Sequence, residues 1–275
     1  MKASSTINAK QPWCVILAGP NGSGKTTFYD QILKNDPMFQ KATFINSDLI
    51  GKDLARISGK TDSNEFIIHA GRIALNLINH KIYKQDSFIY ETTSSGKNVL
   101  RLIKDAKDAG FKVITIFINL PKNCLLYTSD AADEAIHRVE HGGHDVPPEV
   151  QERRYEKIIQ TFPELLKISD ISAVFDNSGT SSPKSSKPAH NLIFLMHEDN
   201  YFVFNDYPAW LKFSLKNRKT RKLLVPVYER INGRKAKKAE EKVWLNKEKF
   251  QQLDPERSTT LIRTLLDNFK TRGER

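Results

Sequence analysis

Cysteine is nearly absent from the chain: Cys14 and Cys124 are its two thiols in 275 residues. Cys14 lies in an apolar, strand-like run, so a disulfide framework is not the organising device and a reducing cytoplasm is the expected compartment. Long apolar runs are missing as well. No stretch of about 18 apolar residues occurs, so no transmembrane helix, and no membrane partner, is expected. The opening segment MKASSTINAKQPW lacks the apolar core of a secretory signal. No internal repeat is visible.

What is present suits a globular protein: 39% hydrophobic and 27% charged residues. The length allows one large domain, or one domain with an appendage. The net charge of +11 is unevenly placed. Lys212 to Arg275 holds 19 basic and 8 acidic residues, leaving 24 of each in residues 1–211. This divides the chain into a neutral domain, 1–211, and a basic helical tail, 212–275, broken at Pro226 and at Asn232-Gly233. Three readings of the tail stand: a polyanion-binding arm, a solvated helix, or a docking element for a protein partner or second copy. The wide spread of Tyr228, Trp244, Phe250 and Phe269 weakens the nucleic-acid reading, which calls for stacking side chains among the charges.

Apolar strand-like runs alternate with helical patterns. Strands are expected at 13–19, 42–48, 87–93, 111–120 and 171–178, and helices at 25–34, 64–82, 97–110 and 148–168. In the 64–82 helix Phe66, Ile67, Ala70, Ile73, Ala74, Leu77 and Ile78 recur at helical intervals. Residues 192–205 read as a hairpin turning at HEDN. The alternation implies an α/β fold, a mostly parallel sheet flanked by helices, with ligands beyond the carboxyl ends of its strands. Residues 124–134, CLLYTSDAADE, resemble a translated sequencing-library adapter. On that reading Cys124, Tyr127, Asp130, Asp133 and Glu134 carry no function; a lid insertion is the other reading.

The run Gly19, Pro20, Asn21, Gly22, Ser23, Gly24, Lys25, Thr26, followed by Thr27, matches G-x-x-x-x-G-K-[ST] between an expected strand and an expected helix. Glycines there let successive backbone N–H groups face phosphate oxygens, and the helix start favours the same anion. The expected ligand is ATP or another nucleoside triphosphate with Mg²⁺. Lys25 should reach the β- and γ-phosphates, and Thr26 should place its hydroxyl on the metal.

Asp48 closes the second strand-like run at the ligand rim. It reads either as a base for a substrate hydroxyl or as the cap of a helix starting near Leu49. Glu91 closes the third run. It either orients magnesium through water or binds substrate hydroxyls, and the following Thr92, Thr93, Ser94 and Ser95 read as substrate hydroxyl contacts or a capping turn. Arg138 precedes the irregular loop Gly142–Pro147, and Arg153 and Arg154 open the next helix. Such arginines either neutralise charge on a transferring phosphoryl group or are solvated.

With these residues in place, the sequence resembles the zeta-toxin family of P-loop kinases, in particular its short bacterial GGHDVP-type members. The resemblance spans about residues 11–212. It rests on GPNGSGKTT (19–27), FINSD (44–48), ETTSSG (91–96), GGHDVP (142–147), RRY (153–155) and FDNSG (175–179). It implies a P-loop kinase-like α/β domain and transfer of the ATP γ-phosphate to a small-molecule hydroxyl. In the longer toxins the acceptor is UDP-N-acetylglucosamine at its 3′-hydroxyl. It also implies roles for residues: Lys25 and Thr26 on nucleotide and metal, Asp48 as base, Glu91 and Thr92 toward the substrate, Arg138 with Arg153 or Arg154 as lid arginines. An antitoxin partner belongs to the same expectation. The 124–134 stretch stands where the family often carries an earlier Arg-Val pair, and the basic tail has no counterpart in the pattern.

Overall fold

A computed structural model describes residues 11–60, 62–121, 148–178, 190–197, 200–203 and 210–211. The adapter-like stretch 124–134, Arg138, the GGHDVP loop and the 212–275 tail lie outside the described residues.

Strand β1 (Trp13–Ala18) leads into helix α1 (Lys25–Phe28), which widens into a π-helical segment over Tyr29–Leu33. Then come β2 (Thr43–Asn46), α2 (Ser47–Ile57), a 3₁₀ turn (Asn64–Phe66), α3 (Ile67–Lys84) and β3 (Phe88–Thr92). They are followed by α4 (Asn98–Asp108), β4 (Lys112–Asn119), α5 (Pro148–Ile168) and β5 (Ile171–Asp176). An antiparallel pair, β6 (Asn191–His197) and β7 (Asn200–Val203), completes the described elements.

The sheet runs β2-β3-β1-β4-β5-β6-β7, parallel through β5 and antiparallel beyond it. The expected α/β fold is therefore present. The alternation of side chains along each strand supplies two cores. Cys14, Ile16 and Ala18 join Ala74, Ile78, Ile103, Phe117, Ile158 and Phe162 on the face covered by α3, α4 and α5. Val15 and Leu17 join Phe28, Leu33, Phe39, Ile116 and Phe175 on the face covered by α1. Every residue of β1 beyond Trp13 is buried, which explains why its sequence is uniformly apolar. Burial drives the Cys14 thiol far above its usual range, making it a core side chain.

One expectation is corrected here. The second strand stops at Asn46, and Asp48 stands in the first turn of α2. Asn46 is the cap: its side-chain oxygen accepts from the Asp48 and Leu49 amides at 2.7 and 3.2 Å. A short polar side chain that satisfies two free amides ends the strand and starts the helix in one step. Of the apolar residues recurring at helical intervals in α3, Ala70, Ala74 and Ile78 are buried, while Ile67, Ile73 and Leu77 face outward. The small residues win the inner stripe because α2 approaches there: a Cβ on Gly51 would lie 3.7 Å from that of Ala70. No described helix is long and apolar enough to cross a membrane.

Candidate active site

The connection after β1 leads to β2 on one side, and β4 is followed in the sheet by β5 on the other. The crevice therefore opens at the carboxyl ends of β1 and β4, where such sheets take their ligands. The glycine loop occupies that place. Gly19 has φ 146°, and a Cβ on it would stand 2.0 Å from the carbonyl oxygen of Ile118, at the end of β4. Gly24, with φ 90°, precedes Lys25 and α1; a Cβ there would come within 2.6 Å of the Asn177 amide. At these two positions only glycine fits both the backbone angle and the space.

Lys25 is buried, and its Nζ donates to the Pro20 carbonyl at 2.9 Å, across its own loop. The same Nζ lies 4.0 Å from Glu91 Oε1. Thr26 Oγ1 is 3.1 Å from each Glu91 oxygen and donates to the carboxylate. Pairing in the sheet puts Glu91 beside Leu17 of β1 and beside Asn46 of β2, so this carboxylate links the glycine loop to the start of α2. Burial pushes the Glu91 carboxyl above its usual range. Lys25 and hydrogen bonds from Thr26 and Asn46 oppose that rise, and the charge of Asp48 adds to it. Asp48 itself is exposed. It stands in the first turn of α2, two residues after Asn46, which pairs with Glu91 in the sheet.

Thr92 faces the bend after β3, where its Oγ1 accepts from the Ser94 amide at 3.1 Å. Ser94 is buried in the left-handed region, with φ 51°, and its Oγ has no hydrogen-bond partner. The structure thus gathers Lys25, Thr26, Asp48, Glu91 and Thr92 at one end of the sheet. Arg153 and Arg154 are exposed on the first turns of α5, and no described contact joins them to the loop. Their neighbour Tyr155 is tied to the sheet, its hydroxyl accepting from Asn119 Nδ2 at 3.2 Å. Arg138 lies outside the described residues.

Sequence reasoning missed a second layer behind the loop. Asn177 donates from Nδ2 to the Ser23 carbonyl at 3.1 Å, and its own amide donates to the Asn119 carbonyl at 2.9 Å. His190, just before β6, is buried with Nε2 3.3 Å from the Gly24 carbonyl. Burial lowers its pKa, and the bond to Gly24 partly offsets that. Asn177 was within view, inside FDNSG, but His190 is preceded by a polar stretch with no pattern to mark it.

The residues present fit a nucleoside triphosphate with magnesium. Ser23 Oγ is a buried hydroxyl without a partner inside the glycine cradle, a group suited to a phosphate oxygen. Among the described residues no cluster of three or more His, Cys, Asp or Glu can hold a metal by itself. A lone hydroxyl with a carboxylate behind it matches a hard cation that takes its remaining ligands from phosphates and water.

A family model described as Zeta toxin matches residues 1–183. An uncharacterised protein of Haemophilus influenzae is 28% identical over 141 residues, 51% of this chain and 91% of the relative. Among solved structures, that of the AvrRxo1-ORF1:-ORF2 complex with ATP superposes with TM-score 0.56 at 15% identity, over 79% of this chain. This chain spans 65% of the length of that protein, and the likeness is one of fold. A structure of the PezAT toxin-antitoxin system of Streptococcus pneumoniae gives TM-score 0.46 at 16% identity, covering 79% of this chain and 88% of that one.

Proposed function

The chain belongs to the zeta toxin family, and on that footing we propose that this P-loop phosphotransferase moves the γ-phosphate of ATP to a hydroxyl of a small molecule, with a sugar nucleotide such as UDP-N-acetylglucosamine as the first acceptor to test. The observation that carries the reading is the chain of contacts Lys25–Glu91–Thr26, with Asp48 at the same rim. One carboxylate, Glu91, is buried against Lys25 and Thr26, and another, Asp48, is exposed in the first turn of α2.

In this scheme Lys25 leaves the Pro20 carbonyl to meet the β- and γ-phosphates. Thr26 would hold magnesium, which when bound would neutralise charge on the phosphates. Asp48 takes the proton of the attacking hydroxyl, as its exposure allows. Glu91 and Thr92 orient the acceptor. Arg138, Arg153 and Arg154 complete the scheme as lid arginines that stabilise the transferring group. The catalytic domain of the proposal is 1–211. The contact of Trp210 Nε1 with Asp176 Oδ1 at 3.0 Å and the buried Leu211 support extending it that far. The proposed setting is the cytoplasm, with an antitoxin as protein partner; co-purification with a small neighbouring protein tests that partner.

The deciding experiment incubates the protein and magnesium with γ-labelled ATP and a panel of sugar nucleotides. Label on a sugar nucleotide supports the proposal. Label released only as inorganic phosphate across the panel removes the sugar nucleotide as acceptor.

A further inference from the structure

A loop whose amides must point inward at phosphate has carbonyls that point outward, and these need partners of their own. Two such carbonyls, those of Ser23 and Gly24, are held by side chains far away in sequence. Asn177 Nδ2 donates to Ser23 O at 3.1 Å, and His190 Nε2 lies 3.3 Å from Gly24 O. A carbonyl only accepts, so Nε2 carries the hydrogen of the second bond. The Gly24 oxygen also accepts the Phe28 amide at 2.9 Å, the first bond of α1. His190 therefore uses the second lone pair of the carbonyl that opens the helix.

Both partners are themselves fixed. Asn177 is bonded through its backbone to Asn119 at the end of β4. The His190 ring is buried and stands edge-on to Phe28, 5.1 Å between centroids. The antiparallel strand β6 follows directly, so the outer part of the sheet delivers His190 to the back of the loop. The missing Cβ of Gly24 leaves the room this requires, since it would stand 2.6 Å from Asn177 Nδ2 and 3.1 Å from His190 Nε2.

We propose that Asn177 and His190 are positioning residues that set the peptide units of Ser23 and Gly24 for phosphate binding. In this proposal they act through the loop, by their bonds to the Ser23 and Gly24 carbonyls. The inference rests on the reading of the loop as an ATP site.

The test measures Mg·ATP affinity by calorimetry on the full chain, together with KM for the acceptor and kcat. His190→Phe keeps a ring against Phe28 and removes the donor, and His190→Gln restores a donor. The expected result for His190→Phe is an ATP Kd raised by about two- to tenfold, the range one net hydrogen bond spans. Acceptor KM should be unchanged and His190→Gln should recover most of the loss. Asn177→Ala should raise the ATP Kd similarly, and it serves as the test if His190→Phe does not fold. An unchanged Kd in a folded His190→Phe or Asn177→Ala protein overturns the inference while leaving the ATP site standing. A loss of kcat with Kd unchanged also overturns it, because it assigns these residues to packing alone. Failure of the unaltered protein to bind Mg·ATP removes the underlying reading, and the inference with it.

Discussion

Thr26 Oγ1 sits 3.1 Å from both carboxylate oxygens of Glu91, so one hydroxyl hydrogen is shared between two acceptors. The two residues are 65 positions apart and come from different elements, α1 and β3. The carboxylate behind the loop thereby senses the one hydroxyl that the family pattern assigns to magnesium.

Glu91 holds its proton more tightly folded than unfolded, because burial outweighs its partners. The folded state then binds more protons than the unfolded one above pH of about 4.5, and stability falls as pH rises from there through the folded pKa. His190, lowered from 6.5, works the other way: stability falls as pH drops from 6.5 through its folded pKa. Glu91→Gln should erase the first slope and leave the second. Urea midpoints of both proteins between pH 4 and 8 check this.

Lys25→Ala should cut transfer sharply while leaving the fold. Losing one preorganised charge on the transferring group costs about 10² to 10³ in rate. Circular dichroism should match the unaltered protein. An active Lys25→Ala protein would mean that phosphate is bound elsewhere.

Asp48→Asn should spare ATP binding and cut transfer by about 10² to 10⁴, the range for a removed general base. The helix should survive, because its cap is the side chain of Asn46 and Asp48 contributes only its backbone amide to that bond. Normal turnover in this variant would assign the proton to another acceptor.

Gly19→Ala should destabilise the protein by roughly 1–3 kcal/mol, the scale of a residue forced into a sparsely populated backbone region. The added Cβ meets a backbone oxygen at 2.0 Å, which no rotamer change relieves. Thermal unfolding of the ligand-free protein reads the loss directly.

Much of this arrangement was legible in the sequence because it rests on local pattern. Buried parallel strands read as apolar runs, and the glycine loop reads as spacing. α5 matches its expected bounds of 148–168. Asp48 was misplaced by two residues because FINSD looks like a continuing strand, and only the geometry of Asn46 shows the helix starting. Apolar periodicity marks α3 as a helix, but it cannot tell which of two adjacent stripes is buried, here that of Ala70, Ala74 and Ile78. The bonds from Asn177 and His190 join residues 154 and 166 positions apart, and nothing local encodes them.

The central strand has a further consequence. β1 is hydrogen-bonded along both edges and buried from Cys14 onward, whereas α2 and α3 leave Ile57, Ile67 and Ile68 largely in solvent. Amide hydrogens of Val15 to Ala18 can then exchange with solvent only when the whole domain opens, while those of α2 exchange through local opening. The glycine loop should then follow a strand of slow exchange, while the segment carrying Asp48 should open locally, before the strand does.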